Sequence, residues 1–305
     1  MHIFYIFVNI LLPIFIQIFA GFFLQKIFNL TISTLTKLQF YILMPSLLFA
    51  QIIKANIESR TVFLVAISTL SIYFMLTLIS WLTAKVFKFS KPITSSFINS
   101  VAYYNSGNYC IPLIQLLFNN PLAFSVQIII MVVQNLLIST IGILTSNAAS
   151  KSLGKSLLAT FKAPMMYSIV IALIMRYFNL GLWKPLWSSI EIFSQGLVPI
   201  ALITLGAQLA ETKISLKSSK VYMSNTLRLI VSPLLAWLIV IILNIHGMVA
   251  QVIMICAAAP TAVNTVILAI EYDNEPDFSS QAVFSGTVFS AITVSVVIFL
   301  ATNFI

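Results

Sequence analysis

Charged residues are scarce in this sequence: only 8% of its 305 residues are Asp, Glu, Lys or Arg. Soluble domains usually contain about 25% charged and roughly 45–50% apolar residues. Here 60% of the residues are hydrophobic, and the mean hydropathy is +1.05. A soluble fold of this length could not bury that much apolar surface, so lipid must solvate most of it. The composition therefore predicts an all-α integral protein of the lipid bilayer.

Residues suited to metal binding or catalysis are also few, with two cysteines and two histidines in the whole chain. Cys110 and Cys256 lie inside apolar runs, and only His2 and His246 could join them as ligands. A zinc site or a disulfide framework needs more ligands or more cysteines. The sequence also lacks the motifs of zinc proteases, serine hydrolases and P-loop enzymes. We therefore expect no metal, no cofactor and no enzymatic activity.

Acidic residues number only seven, against 16 Lys and Arg, which gives a formal net charge of +9. The basic residues are spread between apolar runs and form no patch, which argues against nucleic-acid binding. In membrane proteins such residues mark the cytoplasmic connections. Twelve of the 16 fall in the odd-numbered connections between predicted spans: Lys26, Lys37, Lys85, Lys88, Lys91, Lys151, Lys155, Lys162, Lys213, Lys217, Lys220 and the membrane-edge Arg228. This bias predicts cytoplasmic odd connections and places both termini outside the cytoplasm.

Long apolar runs fill most of the chain. A bilayer core about 30 Å thick needs roughly 20 apolar residues per helix. Runs of that size occur at 3–25, 35–53, 62–84, 93–118, 122–149, 157–178, 185–210, 218–244, 248–271 and 279–303. The sequence therefore predicts ten transmembrane helices, and the first run is expected to be a permanent span.

Prolines recur at corresponding places in the two halves of the chain. Pro45 of the second run matches Pro199 of the seventh, 154 residues later, and Pro112 of the fourth run matches Pro260 of the ninth. The alternative is coincidence, because other prolines in the chain have no such partner.

This correspondence predicts an internal repeat, with residues 1–150 as one five-helix unit and residues 151–305 as the other. Because five spans are an odd number, the second unit enters the membrane from the opposite face. Inverted repeats of this kind are the architecture of many secondary transporters.

The fourth run contains an unusually polar stretch, Asn105-Ser-Gly107-Asn108, followed by Pro112. A proline lacks an N–H and displaces the carbonyl of the residue four positions before it, which is Asn108 here. Gly107 loosens the same turn. Interrupted backbone at membrane depth is tolerated only inside the protein or beside a water-filled cavity. We therefore expect a broken helix in the interior.

The ninth run carries the matching sequence, with Pro260, Thr261 and Asn264, and we expect Thr261 and Asn264 to share one helical face. Paired interrupted helices are the best sequence indication of a transporter's binding site. Their N-terminal ends offer N–H groups and partial positive charge, which suit an anion. The alternative is that these polar side chains only join helices by hydrogen bonds.

The order and spacing of three motifs resemble the auxin efflux carrier family, which includes bacterial malonate-type carriers and the plant PIN auxin exporters. The motifs are Asn105-Ser-Gly-Asn108 with Pro112-Leu113, Leu205-Gly-Ala-Gln-Leu209, and Pro260-Thr-Ala-Val-Asn264. The resemblance covers essentially the whole chain. The short segment near 150–156 is similar to the bacterial members, since the long cytoplasmic loop of the plant members is missing.

The resemblance implies an NhaA-like fold in which the broken fourth and ninth helices cross and a transport domain moves against a scaffold domain. It also implies a homodimer, outward termini and, for the bacterial type, the inner membrane. Asn108 and Asn264 correspond in placement to asparagines that hold the substrate carboxylate, and Gln134 is a looser match to a polar contact. With Asn105 and Thr261 these residues form the expected substrate site.

Two charged residues within the spans need separate interpretations. Glu191 is the only acidic residue well inside a span, and an intramembrane carboxylate is a functional candidate by default. It could couple transport to an ion, but its position about two turns into the helix also suits a structural or interfacial role. We expect Arg228 to lie at a membrane edge and extend its side chain to water.

The sequence therefore favours a secondary transporter that moves a small organic anion, such as a carboxylate or an auxin-like acid, by an elevator-type alternating-access mechanism, in the direction of export. Two alternatives stay open: a sodium-coupled organic-anion symporter of the bile-acid transporter type, and a channel without coupling.

Overall fold

The structure is a computed structural model that describes residues 3–54, 57–146, 163–212 and 218–305. All regular secondary structure in those ranges is helical. In chain order the helices are α1 (Ile3–Phe28), α2 (Ile32–Lys54), α3 (Ser59–Val86), α4 (Lys91–Ala102), α5 (Ile111–Phe118), α6 (Pro121–Thr145), α7 (Pro164–Tyr177), α8 (Lys184–Ala210), α9 (Ser219–Ile242), α10 (Gly247–Ala257), α11 (Asn264–Glu271) and α12 (Pro276–Phe304). The predicted boundary at residue 150 lies outside the described residues.

Seven helices in the described ranges, α1, α2, α3, α6, α8, α9 and α12, are long and apolar enough to cross a membrane. The fourth and ninth predicted spans each consist of two shorter helices, α4 with α5 and α10 with α11. The sixth is represented by α7, which has 14 residues. The chain is thus a multi-pass membrane protein, and the part of it that the structure describes is all-helical.

Wide π-helical turns precede four of the prolines. These turns are Phe7–Leu11, Gln39–Leu43, Ser106–Cys110 and Leu227–Val231, and in each case proline is the second residue after the turn. A proline ring collides with the carbonyl four residues earlier, which falls inside the π-helical turn each time. The wider turn makes room for that carbonyl, so these helices continue through their prolines.

Helices α1, α2, α7 and α8 pack against one another and form the first helix group. Gly21 of α1 and Gly206 of α8 lie where those two helices cross, and a Cβ atom at either position would overlap the backbone of the other helix. Gln39 of α2 is buried and donates to Thr204 Oγ1 of α8 at 2.5 Å. Small residues and interhelical hydrogen bonds of this kind hold helices together in lipid.

The other helices, α3 to α6 and α9 to α12, form the second helix group. A buried polar network joins several of them. Thr145 Oγ1 donates to Asn99 Oδ1 at 2.6 Å, and Asn99 Nδ2 donates to Ser146 Oγ at 3.0 Å. Asn274 Nδ2 donates to Ser146 O at 2.9 Å. Since each of these amides is satisfied by protein, the network fastens α4, the end of α6 and the α11–α12 connection together.

Candidate substrate site

The two broken helices meet where both are unwound. Asn105 N donates to Pro260 O at 2.8 Å, and Ala262 N donates to Tyr103 O at 3.0 Å. Tyr104 and Thr261 form an isolated antiparallel bridge between these two contacts. The unwound backbones therefore satisfy one another's polar groups, which a break inside a membrane protein requires.

The first interruption lies earlier in the chain than the proline suggests. Helix α4 ends at Ala102, residues 103–105 are not helical, and the chain is helical again from Ser106. Gly107 and Pro112 therefore follow the break, because the π-helical turn accommodates the proline. The second break, residues 258–263, contains Pro260 as expected.

Thr261 and Asn264 do not share a helical face, so that expectation was wrong. Thr261 is in the unwound segment, fully buried, and its Oγ1 donates to Ser100 O at 2.8 Å. Asn264 is the first residue of α11 and is exposed. Pairing with the other break takes Thr261 out of the helix and uses its hydroxyl to hold the end of α4.

A cavity of about 660 Å³ lies between the two helix groups, with the crossing breaks at one end. Its lining combines residues of α2 and α8 with residues of the breaks, α6, α11 and α12. Of the residues predicted to bind substrate, four line it: Asn105, Asn108, Gln134 and Asn264. Gly107 lines it as well, whereas Thr261, Pro112, Pro260 and Glu191 do not. The size suits a small organic molecule.

Asn105 lines the cavity at the crossing and has a buried amide donor without a protein partner among the described residues. Its Oδ1 accepts from Asn108 N at 3.0 Å and caps the helical turn that follows. Because the cap uses the oxygen, the amide nitrogen Nδ2 points elsewhere, and it has no hydrogen-bond partner among the described residues. The residue is only 6% exposed. A buried donor without a protein partner indicates an acceptor supplied by something else.

Two glutamine oxygens add acceptor capacity. Gln134 Oε1 and Gln208 Oε1 are buried and lack a partner within the described ranges, and both residues line the cavity. Gln208 belongs to the Leu205-Gly-Ala-Gln-Leu209 motif, so that motif also reaches the cavity. Together with Asn105, these groups can bind a ligand that both accepts and donates hydrogen bonds.

The far end of the cavity adjoins helix ends with exposed side chains. Its lining there includes Ser33 at the start of α2, Glu211 after α8, and Asp277 in the first turn of α12. These ends flank the first, seventh and ninth connections. Glu211 and Asp277 are the charged residues among the described lining. The mouth therefore faces the side of the odd-numbered connections, and its charged residues in the described ranges are acidic.

Glu191 lies elsewhere, in α8, and its carboxylate oxygen is 2.6 Å from Lys54 Nζ of α2. The two side chains are 39% and 42% exposed. An exposed ion pair of this kind contributes between about 0 and 1 kcal/mol to stability. The geometry fits the structural interpretation of Glu191 better than the coupling one.

Arg228 is not an edge residue, and that expectation was wrong. It is fully buried, and its Nη1 donates to Val101 O at 2.8 Å. Its Nη2 donates to Ala257 O and to Ser232 Oγ. The guanidinium thus binds the carbonyl ends of both α4 and α10 through Nη1 and Nη2, whereas its Nε has no partner among the described residues. The sequence carried one indication: a charge inside a 24-residue apolar helix.

Gln127 is a second residue that the sequence did not single out. It is fully buried in α6, donates from Nε2 to Ser106 O at 2.5 Å, and accepts from Cys256 Sγ at 2.8 Å. It therefore connects the two broken helices from the side of α6. One polar residue in an apolar run gives no indication of these partners.

A bundle of apolar helices with two interrupted helices paired beside a cavity that several amide side chains line is typical of a membrane transport protein. Comparison with known families agrees. The chain belongs to the family described as membrane transport protein, whose family model matches residues 5–153 and 145–298. This match confirms the resemblance to the auxin efflux carriers.

Two archaeal relatives are described as uncharacterized transporters. The chain is 24% identical over 158 residues to one from Methanocaldococcus jannaschii, and that match covers 51% of this chain and 50% of the relative. It is 27% identical over 160 residues to one from Methanothermobacter thermautotrophicus, which covers 52% of each. The chain spans about half the length of these curated relatives in the matches.

Proposed function

We propose that this protein is a secondary transporter for a small organic anion, such as a carboxylate or an auxin-like acid, and that it exports this anion. The observation that carries the proposal is the Nδ2 donor of Asn105, which is buried without a partner among the described residues and belongs to a residue that lines the cavity. A carboxylate oxygen is the acceptor that such a donor binds most strongly, because hydrogen bonds to charged groups are about twice as strong as neutral ones.

Asn108 and Asn264 complete the proposed carboxylate site. Each begins or lies in the first turn of a half-helix after a break, and each lines the cavity. The helix dipole places partial positive charge at these first turns. The backbone N–H of Asn108 is already bound by Asn105 Oδ1, so its side chain is the group that we assign to the substrate. Gln134 then binds the polar part of the substrate from α6, while Thr261 supports the site through Ser100.

We propose ten membrane spans in two inverted repeats, residues 1–150 and 151–305, in an NhaA-like fold with crossed broken helices. Seven long helices support this, together with α4–α5, α7 and α10–α11 as the three remaining crossings. The pairing of the breaks supports the crossing.

We propose that transport follows an elevator-type alternating access. The cavity lies between the two helix groups, so movement of the second group against the first would carry the site across. The glycine contact between α1 and α8 suits a static scaffold. The network around Asn99 and Asn274 suits a second group that moves as one body. A homodimer stays a prediction, which the molar mass of the purified protein in detergent would test.

The orientation proposed from the basic residues places the cavity mouth in the cytoplasm of a bacterial cell, which is the side from which an exporter loads. Lys88 adjoins the third connection, after α3. An impermeant amine reagent should therefore label Lys88 in inside-out vesicles and leave it unlabelled in intact cells. Labelling in intact cells would reverse the orientation.

Counterflow in proteoliposomes tests the function. Vesicles preloaded with unlabelled malonate or indole-3-acetate should accumulate the labelled compound transiently, because a carrier exchanges its substrate. Accumulation that requires sodium would identify the bile-acid type of symporter instead. Equilibration without any overshoot would identify a channel, and no uptake of any carboxylate in a wider panel would exclude the proposed substrate class.

A further inference from the structure

Arg228 holds a buried positive charge beside the proposed site. An arginine side chain keeps its charge in proteins, and the hydrogen-bond partners of this one in the described structure are neutral: two backbone carbonyls and the hydroxyl of Ser232. The lining of the nearby cavity contributes no basic residue from the described ranges. No carboxylate is among the hydrogen-bond partners of Arg228 in the described structure, so its charge acts on the crossing end of the cavity without being neutralised by an ion pair.

The carbonyl groups that Arg228 binds are those at the ends of α4 and α10. Val101 is the second-last residue of α4 and Ala257 the last of α10. Those ends carry the negative poles of the two half-helix dipoles, whereas the first turns of the half-helices that follow carry positive poles. With the negative ends bound by a guanidinium, the crossing presents mainly positive potential.

Tyr104 lies between this charge and the cavity. The guanidinium carbon of Arg228 is 5.0 Å from the centre of the Tyr104 ring, and Tyr104 lines the cavity at its closed end. A ligand against Tyr104 would be about 10 Å from the charge. At that distance and an effective dielectric constant near 20, the attraction of a unit negative charge changes affinity roughly tenfold.

The other end of the cavity has the opposite character. Glu211 and Asp277 are exposed at the mouth, and Glu211 is held there by Gln25, whose Nε2 donates to it at 3.2 Å. The described lining also includes apolar side chains, with Met44 from α2 and Ile267 from α11 among them. Among the described residues, the buried charge of Arg228 therefore lies beside the crossing, and carboxylates lie at the mouth.

We propose that Arg228 makes the carrier selective for substrates with a single negative charge at one end, and that Glu211 and Asp277 disfavour a second charge at the other. Arg228 acts as a positioning residue through the crossing and Tyr104, and it does not touch the substrate. The inference rests on the proposed function, because it assumes an anion in this cavity. It favours an amphipathic monocarboxylate over a short dicarboxylate.

A set of three six-carbon probes tests the proposal: neutral hexanamide, singly charged hexanoate and doubly charged adipate. Binding to the purified protein is measured by calorimetry. The native protein should bind hexanoate most tightly. In Arg228→Gln the ratio of hexanoate to hexanamide affinity should fall roughly tenfold, and in Arg228→Lys it should be largely retained. Arg176→Gln, which removes a guanidinium near Ile52 of α2, should leave the ratio unchanged.

A separate expectation concerns Glu211 and Asp277 at the mouth of the cavity. In the double variant Glu211→Gln and Asp277→Asn, the affinity for adipate should rise about two- to threefold relative to the affinity for hexanoate. That gain should vanish at about 1 M salt, where the screening length is ~3 Å, whereas the effect of the buried Arg228 should persist.

Each possible outcome supports or overturns the proposal. A structural role alone for Arg228 would weaken all three probes equally or unfold Arg228→Lys as well as Arg228→Gln, and either result overturns the proposal. A protein that passes the counterflow assay yet binds hexanoate and hexanamide equally also overturns it, and leaves the transporter proposal standing. No binding of any probe, together with no counterflow, overturns both.

Discussion

Replacement of Asn105 by aspartate separates the two tasks of this side chain. Oδ1 of Asn105 caps the following turn by accepting from Asn108 N, while Nδ2 is buried without a partner among the described residues and is the donor that we assign to the substrate. Aspartate caps helices as well as asparagine does, so Asn105→Asp keeps the fold of the break. It replaces the donor by an acceptor oxygen that cannot bind a carboxylate.

The expected loss of affinity in Asn105→Asp follows from the hydrogen bond that is lost. A bond to a charged group contributes about 1.5–3 kcal/mol, which corresponds to a loss of affinity of roughly 12- to 160-fold. Repulsion between two carboxylates adds to this loss. Binding of the carboxylate that gives counterflow is measured on purified protein, with thermal unfolding as the check of folding.

Asn120→Asp is the matched control. Asn120 caps α6, where its Oδ1 accepts from Leu122 N at 2.8 Å, and it does not line the cavity. That variant should bind within twofold of the native protein. Unchanged affinity in a folded Asn105→Asp protein would refute the assignment of Asn105 Nδ2 as the carboxylate donor, and so would an equal loss in Asn120→Asp.

The remaining predictions concern the rest of the site and the scaffold. Asn108→Ala and Asn264→Ala should each weaken binding roughly tenfold to a hundredfold in the same assay, and full retention in both would remove the crossing from the site. Gly206→Ala should lower the stability of the purified protein by about 1–3 kcal/mol or more in thermal unfolding, because the added Cβ meets the backbone of α1. Gly196→Ala is the control and should be close to neutral, because its Cβ would be 3.5 Å from the nearest side-chain atom. Glu191→Gln should leave the pH dependence of exchange unchanged. If the variant still exchanges substrate but has lost that pH dependence, Glu191 is the coupling group.

The sequence predicted the helical segments well, because length and apolarity decide them. The described helices begin and end within a few residues of most predicted runs, and the predicted polar residues Asn105, Asn108, Gln134 and Asn264 come together around one cavity. Amides are costly in lipid, so a cluster of them in an apolar run indicates the interior. Their roles as substrate ligands stay predictions.

Other features depend on partners far away in the chain. Arg228 binds Val101, 127 residues earlier, and no local pattern distinguishes such a buried arginine from one at a membrane edge. Thr261 leaves its expected helical face because the segment pairs with the other break. The interruption before Ser106 is likewise set by that pairing, and Pro112 alone does not locate it. Tertiary contacts determine these features, so helical periodicity and the effects of proline could not predict them.

The contact between α2 and α8 sets an order of events during synthesis. Thr204 is 165 residues after its partner Gln39, so at a translation rate of about 5–20 residues per second Gln39 waits roughly 10–30 s for it. The α1 surface around Gly21 also waits for Gly206 during that time. The nascent first half therefore resides in the bilayer with an unsatisfied amide and an open groove. We therefore expect the biogenesis of this protein to depend on insertion factors that shield polar helices from lipid, and depletion of those factors should trap it as a protease-sensitive early intermediate.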